Sequence, residues 1–492
     1  MAHSSQQEFI SLLEERGELR RISYPVATEL EVTEFANREM KSPNGGKALL
    51  FEKPTVNGQV ANFPLVINAM GSRQRMALAL GVESIEALAG ELQSLIKAKP
   101  PQSVKQAWEL FRAGLNLAYA RPKRVRTGPC KEVVHRLDQR EKSTFSLNDL
   151  PILKCWPEDG GRFVTLPNVY TRDPETGDRN VGMYRMQIYD GHTTGMHWQL
   201  HKVGARHAQV YRKRGEKMPV AVCLGGDPAY AFAATAPLPD GLDEVLFAGF
   251  VRKKSVELVP CETHDLEVPA DVDFVLEGYV DPNETRVEGP FGDHTGFYTP
   301  KEEYPVFHLT AITHRQGAIY PATIVGIPPM EDFYIGEASV RLFLPMLKMN
   351  FPEIVDIALP AEGVFHNLVC VSIRKQYPYQ AYKVMHGLWG MGQMMFSKYI
   401  IVVDEDCDVH NTSEVLFRLC ANTDPQRDST FIKNPMDALD HAPTVPNFGS
   451  HMGLDATRKL PGEGYHRTWP ELVKMNRDVQ LKVDRLIREC ER

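Results

Sequence analysis

Between Glu288 and Gly296 the chain reads Glu-Gly-Pro-Phe-Gly-Asp-His-Thr-Gly, an order that a regular helix does not tolerate. Glycine and proline both disfavour helix interiors, proline because it lacks an N–H and clashes with the preceding turn. The segment reads instead as a shaped loop that delivers Glu288 and Asp293 to one place. Loops held on a rigid scaffold are where catalytic side chains concentrate. Two nearby carboxylates in unlike environments can divide the work, one staying ionised and the other protonated as a donor. The same composition also suits an ordinary glycine-rich turn with solvated acids, and a second group of residues bears on that choice.

That group is Asn180-Val-Gly-Met-Tyr-Arg185, followed by His197-Trp-Gln-Leu-His201-Lys202, with Glu244 further on. Alternation in the first run reads as a half-buried strand, with Asn180, Gly182 and Tyr184 on one face. Met196, Trp198 and Leu200 alternate with His197, Gln199 and His201 in the same way. Asn, His and Glu offer an amide oxygen, an imidazole and a carboxylate, a mixed donor set suited to Mn²⁺ or Mg²⁺. Three such ligands leave room for a phosphate oxygen and water. The spacing fits no short metal signature such as HExxH, and interior histidines are often hydrogen-bonded structural residues.

These runs belong to a series: Gly128-Pro-Cys130, Pro151-Ile-Leu-Lys-Cys-Trp-Pro-Glu-Asp-Gly-Gly161, the two segments above, Phe351–Pro360, Lys398–Val409 and Met452–Lys459. Their order and spacing resemble the UbiD-type decarboxylases, which use prenylated FMN to remove carboxyl groups from aromatic or α,β-unsaturated acids. The resemblance runs through nearly the whole chain. It implies that Asn180, His201 and Glu244 hold a divalent metal, usually Mn²⁺, that bridges to the cofactor's phosphate; K⁺ is a further candidate ion. Met183, Tyr184 and Arg185 match the strand along the cofactor, Trp198 and Lys202 a second contacting segment, and Lys383 a lysine reaching toward the phosphate. Arg185, Glu288 and Asp293 match the catalytic network. Lys202-Val-Gly stands where the polyprenyl-hydroxybenzoate enzyme has Arg-Gly-Gly. Asp293 stands where the acrylic-acid branch has Glu, which favours the phenolic-acid branch.

The chemistry supports those roles independently. Decarboxylating an aromatic acid leaves electron density that no side chain absorbs well, so a cofactor must act as the sink. Arg185 can grip a carboxylate with parallel donors while Glu288 holds the guanidinium. Asp293 is the natural proton donor to the carbon, provided burial or the neighbouring Glu288 raises its pKa.

Length and composition agree. A chain of 492 residues is too long for one core, and 43% hydrophobic content excludes global disorder. A net charge of −7 gives no basic footprint for nucleic acid. No stretch approaches the roughly 18 uninterrupted apolar residues of a membrane span. The N-terminus is acidic and amphipathic, unlike a targeting peptide. Eight scattered cysteines without a CxxC pair read as reduced, mostly buried residues of a cytoplasmic protein.

The patterning predicts an α+β multidomain chain. An α/β segment spans 1–120, with helices at Phe9–Arg16 and Ser84–Lys97, strands at Ala48–Glu52 and Phe63–Asn68, and a linker around Lys99-Pro-Pro and Arg121–Arg126. A β-rich domain follows at 121–325, which the resemblance identifies as a split β-barrel flavin domain. Asp173–Asp178 reads there as a hairpin tip, and Phe307–Thr313 and Ala318–Val325 as adjacent strands. Strands alternate with helices over 326–465 in βαβ fashion. Leu368–Ile373 and Tyr399–Val403 flank a helical run from Ala381 to Phe396 there. An amphipathic helix at Trp469–Cys490, within 466–492, is expected to pack on another subunit. Asp404, Glu405, Asp406 and Asp408 read as a solvated turn. Met385, Met391, Met394 and Met395 read as packing residues.

The expected reaction is reversible, non-oxidative decarboxylation of a 3-polyprenyl-4-hydroxybenzoate in quinone biosynthesis, releasing CO₂. A hydroxynaphthoate or a small phenolic acid is the alternative substrate, in a pocket expected to include Ile327, Pro328, Met330 and Phe333. A flavin prenyltransferase would supply the cofactor. A homo-oligomer, dimer or hexamer, and peripheral membrane contact for a prenylated substrate complete the expectation. A metal-dependent hydrolase using Asn180, His201 and Glu244 is the reading from another class, and it needs no flavin. Gly387-Leu-Trp-Gly390-Met-Gly392 has the wrong spacing for a dinucleotide-binding turn.

Overall fold

The N-terminal segment builds a small sheet backed by helices. The computed structural model describes residues 2–96, 118–138, 143–199, 202–238 and 241–490. Helix α1 (Gln6–Glu15) starts where Ser5 Oγ accepts from the Glu8 N–H at 3.1 Å, a side-chain cap for an otherwise unpartnered donor. Phe9, Ile10 and Leu13 face inward, as their spacing predicts. Strands β1 (Leu19–Ile22), β2 (Ala48–Phe51) and β3 (Leu65–Ile67) form the sheet, and α2 (Ile85–Ile96) follows. Lys99-Pro-Pro lies outside the described residues. Part of the basic stretch expected as a linker, Lys123–Arg124, instead pairs in parallel with Glu257–Leu258.

The central sheet contains β4 (Val133–Arg136), β5 (Asn168–Arg172), β6 (Arg179–Met183), β7 (Thr193–Gly195) and β8 (Met218–Leu224). Beyond helices α3 (Val203–Arg214) and α4 (Glu244–Arg252) come β9 (Phe274–Glu288), the short pair β10 (Phe291–Gly292) and β11 (Tyr298–Thr299), and β12 (Glu302–His314). The antiparallel order is β6-β5-β8-β9-β12-β7, with β4 also on β12. Strand β8 reads Met-Pro-Val-Ala-Val-Cys-Leu and is buried almost throughout, as a strand covered on both faces should be. The β5–β6 hairpin turns at Asp173–Asp178 as expected, Asp173 N–H donating to Asp178 O at 2.9 Å. Among the described residues no pairing joins the two edges, so the sheet is open and no closed barrel is found.

Two sequence expectations change here. Only the first of the supposed adjacent strands stays in this sheet. The second, β13 (Tyr320–Ala322), runs parallel to β3, with Tyr320 N–H on Pro64 O at 2.8 Å. The apolar edge of Leu65–Ile67 buries Tyr320 and Ala322 completely, and this tertiary pairing wins over the local hairpin. Met196–Gln199, whose alternation suggested a strand, has no regular structure; its ladder ends at Gly195.

From Glu331 the grammar becomes βαβ. Helix α5 (Glu331–Asn350) leads into strands β14 (Ile354–Ala358), β15 (Leu368–Ile373), β16 (Tyr399–Asp404), β17 (Ser429–Pro435) and β18 (Phe448–Asp455), ordered β14-β15-β16-β18-β17. β15, β16 and β18 are parallel, and α6 (Gln380–Trp389) connects β15 to β16. Val384, Met385 and Leu388 of α6 pack on Val369, Val371 and Ile400, so Met385 is core. Asp404 accepts from the Arg458 N–H, Glu405 pairs with Arg374 at 3.0 Å and Asp406 with Arg418 at 3.1 Å, as turn charges do. The terminal helix α7 begins at Arg477, not Trp469, and runs to Cys490 with its apolar side chains exposed.

Candidate active site

Arg185, just past the end of β6, is the hub of the site. Its Nε donates to Glu288 Oε1 at 3.0 Å, Nη1 to Asp293 Oδ2, and Nη2 to Thr299 Oγ1 at 3.2 Å. Its guanidinium carbon lies 4.5 Å from the centroid of the Phe291 ring, a cation–π contact. Glu288 closes β9 and Asp293 follows β10, so the loop does bring the two acids together, bridged by a shared guanidinium.

The Pro151–Gly161 segment grips this loop. Asp159 accepts from the N–H groups of Gly292 (2.8 Å), Trp156 (2.8 Å) and Cys155 (3.1 Å). Gln187 accepts from Gly289 N–H at 2.6 Å and donates to Gly160 O at 2.9 Å. Position 292 must be glycine, because a Cβ there would lie 2.3 Å from Trp156 Cδ1. The sequence marked this segment as a motif without giving Asp159 a role.

Burial alone would raise the Glu288 carboxyl, but the His197 hydrogen bond (Nδ1 to Oε2, 2.7 Å) and the Arg185 charge hold it below its ordinary value. Burial would raise Asp293 as well. The Arg185 charge and the His294 hydrogen bond reverse this and hold it well below the carboxylate range. The expectation that Glu288 raises Asp293 therefore fails: the guanidinium between them screens one from the other. Charge and hydrogen bonding favour the proton on His294 instead. Burial opposes its charge, yet Asp293, with Asp437 and Asp332 behind it, pushes it up to about 9. His294 Nδ1–H donates to Asp293 Oδ1 at 2.9 Å, and Nε2 lies 2.7 Å from His366 Nε2. Burial and the charge on His294 push His366 down to about 4, making it the acceptor. The sequence missed His294 and His366. His294 was in plain view beside Asp293, but nothing local signals His366 or Asp437.

The expected metal ligands converge in part. Glu244 opens α4, and its Oε2 accepts from Val181 N–H at 3.0 Å, which sets the carboxylate beside Asn180. Asn180 is buried, and its Nδ2 has no partner among the described residues. An amide and a carboxylate meeting in a buried place fit a hard divalent cation. His201 lies outside the described residues. Tyr184 folds back over Gly182, its hydroxyl 2.2 Å from where a Cβ would stand, so a side chain at 182 would have to displace the tyrosine.

Met183, Tyr184, Arg185, Lys202 and Asp293 line a 200 Å³ cavity with His197. It shares Met183, Lys202 and Asp293 with a second cavity of 770 Å³. Ile335, Phe343, Leu344, Leu347, Leu359 and Phe396 give the larger one an apolar wall. Trp198 is buried, and its Nε1 has no partner among the described residues. Lys383 is not brought to the cluster: it pairs with Glu353 at 2.6 Å and lines neither cavity. Ile327, Pro328, Met330 and Phe333 line neither cavity; Ile327 is 69% exposed and Met330 is packed in the core. The cysteines are free, and burial pushes the Cys130 thiol up to about 12, consistent with a structural role.

Comparison with known proteins agrees with this geometry. Family models of the 3-octaprenyl-4-hydroxybenzoate carboxy-lyase match in order: the N-terminal domain at 10–92, the Rift-related domain at 123–328 and the C-terminal domain at 333–456. An uncharacterized protein of Archaeoglobus fulgidus is 50% identical over 491 residues, covering 99% of both chains. The closed form of Sedimentibacter hydroxybenzoicus vanillic acid decarboxylase superposes with a TM-score of 0.83 at 27% identity, covering 99% of each chain. The UbiD-class enzyme HmfF of Pelotomaculum thermopropionicum, in complex with FMN, gives 0.79 at 25% identity, covering 98% of this chain and 99% of its own. The chain belongs to the UbiD family and is a carboxy-lyase of the UbiD decarboxylase class.

Proposed function

We propose that this chain is a prenylated-FMN-dependent decarboxylase of an aromatic hydroxy acid that carries an apolar substituent, a 3-polyprenyl-4-hydroxybenzoate fitting best. The observation that supports this most is Arg185, fixed between two buried acids in a cavity that shares its lining with an apolar one of 770 Å³. A cavity of that size suits a ligand larger than a bare phenolic acid. The fitting residues for a cation are Asn180 and Glu244, with His201 as third ligand. Mn²⁺, or Mg²⁺, held there would tie down the cofactor's phosphate, with K⁺ a further candidate. Met183, Tyr184, Trp198 and Lys202 would flank the cofactor. Prenylated FMN, when bound, supplies the electron sink that no side chain offers.

The chain's own residues do the rest. Three of the five guanidinium N–H donors of Arg185 go to Glu288, Asp293 and Thr299, leaving two for a substrate carboxylate. Glu288, itself fixed by His197, keeps the fork oriented. An arriving carboxylate competes with Asp293 for the Arg185 charge. Asp293 then binds a proton more readily, at the moment a carbon must receive one once CO₂ departs. The apolar walls exclude water from that transfer.

A cytoplasmic homo-oligomer, dimer or hexamer, supplied by a flavin prenyltransferase, completes the reading, with peripheral membrane contact for a prenylated substrate. Native mass spectrometry of protein co-produced with a flavin prenyltransferase tests the class. Prenylated FMN plus one divalent ion supports it; metal without flavin, even after anaerobic reconstitution, sinks it and revives a hydrolase. CO₂ release from 4-hydroxybenzoates with and without a 3-prenyl chain then tests the substrate.

A further inference from the structure

Replacing a carboxylate by hydrogen, R–COO⁻ + H⁺ → R–H + CO₂, consumes one proton per turnover, and Asp293 holds none in the resting site. Arg185 occupies one of its oxygens and His294 the other. The cavities it lines are those the cofactor and substrate would fill. Among the described residues, only His294 donates to the Asp293 carboxylate on a side away from Arg185, through its backbone N–H at 2.7 Å and Nδ1 at 2.9 Å. Side-chain exposure rises along the row from Asp293 (6%) through His294 (13%) to His366 (22%).

Resting on the decarboxylase reading, we propose that His294 and His366 form a proton relay in which His366 holds the His294 Nε2–H and His294 recharges Asp293 through Nδ1 at each turnover. The His294 Nδ1–H bond breaks as an Asp293 Oδ1–H bond forms; that bond in turn breaks as the new C–H bond forms. Asp293 returns as carboxylate, and the neutral His294 ring, which keeps its Nε2–H on His366, regains its Nδ1 proton from water admitted to the large cavity once product has left. His294 faces Asp293 and Asp332 from the central loop and α5, and His366 and Asp437 from the C-terminal region. His366 in turn feels Asp437, Asp440 and Lys398, the last two paired with each other. Three carboxylates about His294 favour a resting imidazolium. His294 and His366 are thus positioning residues that act through Asp293.

The test compares wild-type holoenzyme with His366→Gln and His294→Gln, after equal metal and flavin content has been verified. His366→Gln is expected to keep single-turnover CO₂ release and KM, to lose about tenfold in steady-state kcat, and to recover with added imidazole. His294→Gln is expected to lose about 10²-fold or more, within the range of a positioned proton donor. Unchanged kcat in His366→Gln, or a loss that imidazole does not relieve, overturns the relay. A separate readout is the proton NMR signal of the His294 Nδ1–H. It is expected far downfield in unliganded protein, absent in Asp293→Asn and moved in His366→Gln; its absence in wild type overturns the relay even if no substrate is ever found. Failure of wild type to release CO₂ from any acid counts against the decarboxylase reading instead.

Discussion

Asp293 is the residue on which the proposed chemistry turns. Asp293→Asn keeps the shape but removes the proton-carrying oxygen, so turnover is expected to fall by about 10²–10⁴-fold while flavin and metal stay bound. Near wild-type CO₂ release in that variant would remove Asp293 from the mechanism. Its pairing with His294 also leaves a mark on stability. His294 is raised from 6.5 to about 9, so its contribution is complete below pH 6.5 and fades as pH rises through 9. Asp293 is depressed from 3.8, so its contribution is present above that value and is lost in acid. The gap in melting temperature between wild type and His294→Gln is therefore expected to be widest between about pH 4 and 6.5 and to narrow toward pH 9. A constant gap across that range would contradict the pairing. The Gly/Pro-punctuated loop put Glu288 and Asp293 in one place from the sequence, and the family resemblance added Arg185 to them. The sequence misjudged the protonation state, since that depends on a guanidinium arriving from another strand.

At the scale of elements, strand β6 and helix α4 frame the proposed metal end of the site. The α4 N-terminus presents Glu244 to the β6 backbone, where it accepts from the N–H of Val181, the residue after Asn180. Glu244→Ala is expected to lose metal and cofactor together, seen as metal content and flavin absorbance falling in parallel. Loss of one without the other would separate two sites. Gly182→Ala puts a methyl where the Tyr184 hydroxyl lies, and the tyrosine is the part able to yield. Overpacking of this kind costs about 1–3 kcal/mol. The expected signature is a modest drop in denaturation midpoint with a tenfold or greater loss of cofactor affinity, about 1.4 kcal/mol. Period-two patterning identified β6 correctly. The same pattern at Met196–Gln199 misled, because a strand also needs a partner ladder, and β12 stops supplying one at Gly195.

At the scale of the molecule, helix α7 stands with Val479, Leu481, Val483, Leu486 and Ile487 exposed, an apolar stripe that the described residues leave uncovered. Burying such side chains is worth roughly 1.5–3 kcal/mol each, which favours a second copy covering them. Leu481→Lys with Leu486→Lys is expected to lower the oligomeric state in light scattering without changing the far-ultraviolet circular dichroism; an unchanged mass would free α7 of that role. The sequence by itself determined the order of the three structural regions, the βαβ grammar after Glu331 and the loop that joins Glu288 to Asp293. Each of these rests on local periodicity or on backbone limits set by glycine and proline. Tertiary structure alone decided that Tyr320–Ala322 crosses to the N-terminal sheet, that Lys383 turns to Glu353, and that His366 and Asp437 meet His294. Those pairings join residues far apart in the chain, and what selects among them is burial and charge compensation in three dimensions, which no spacing along one strand or helix encodes.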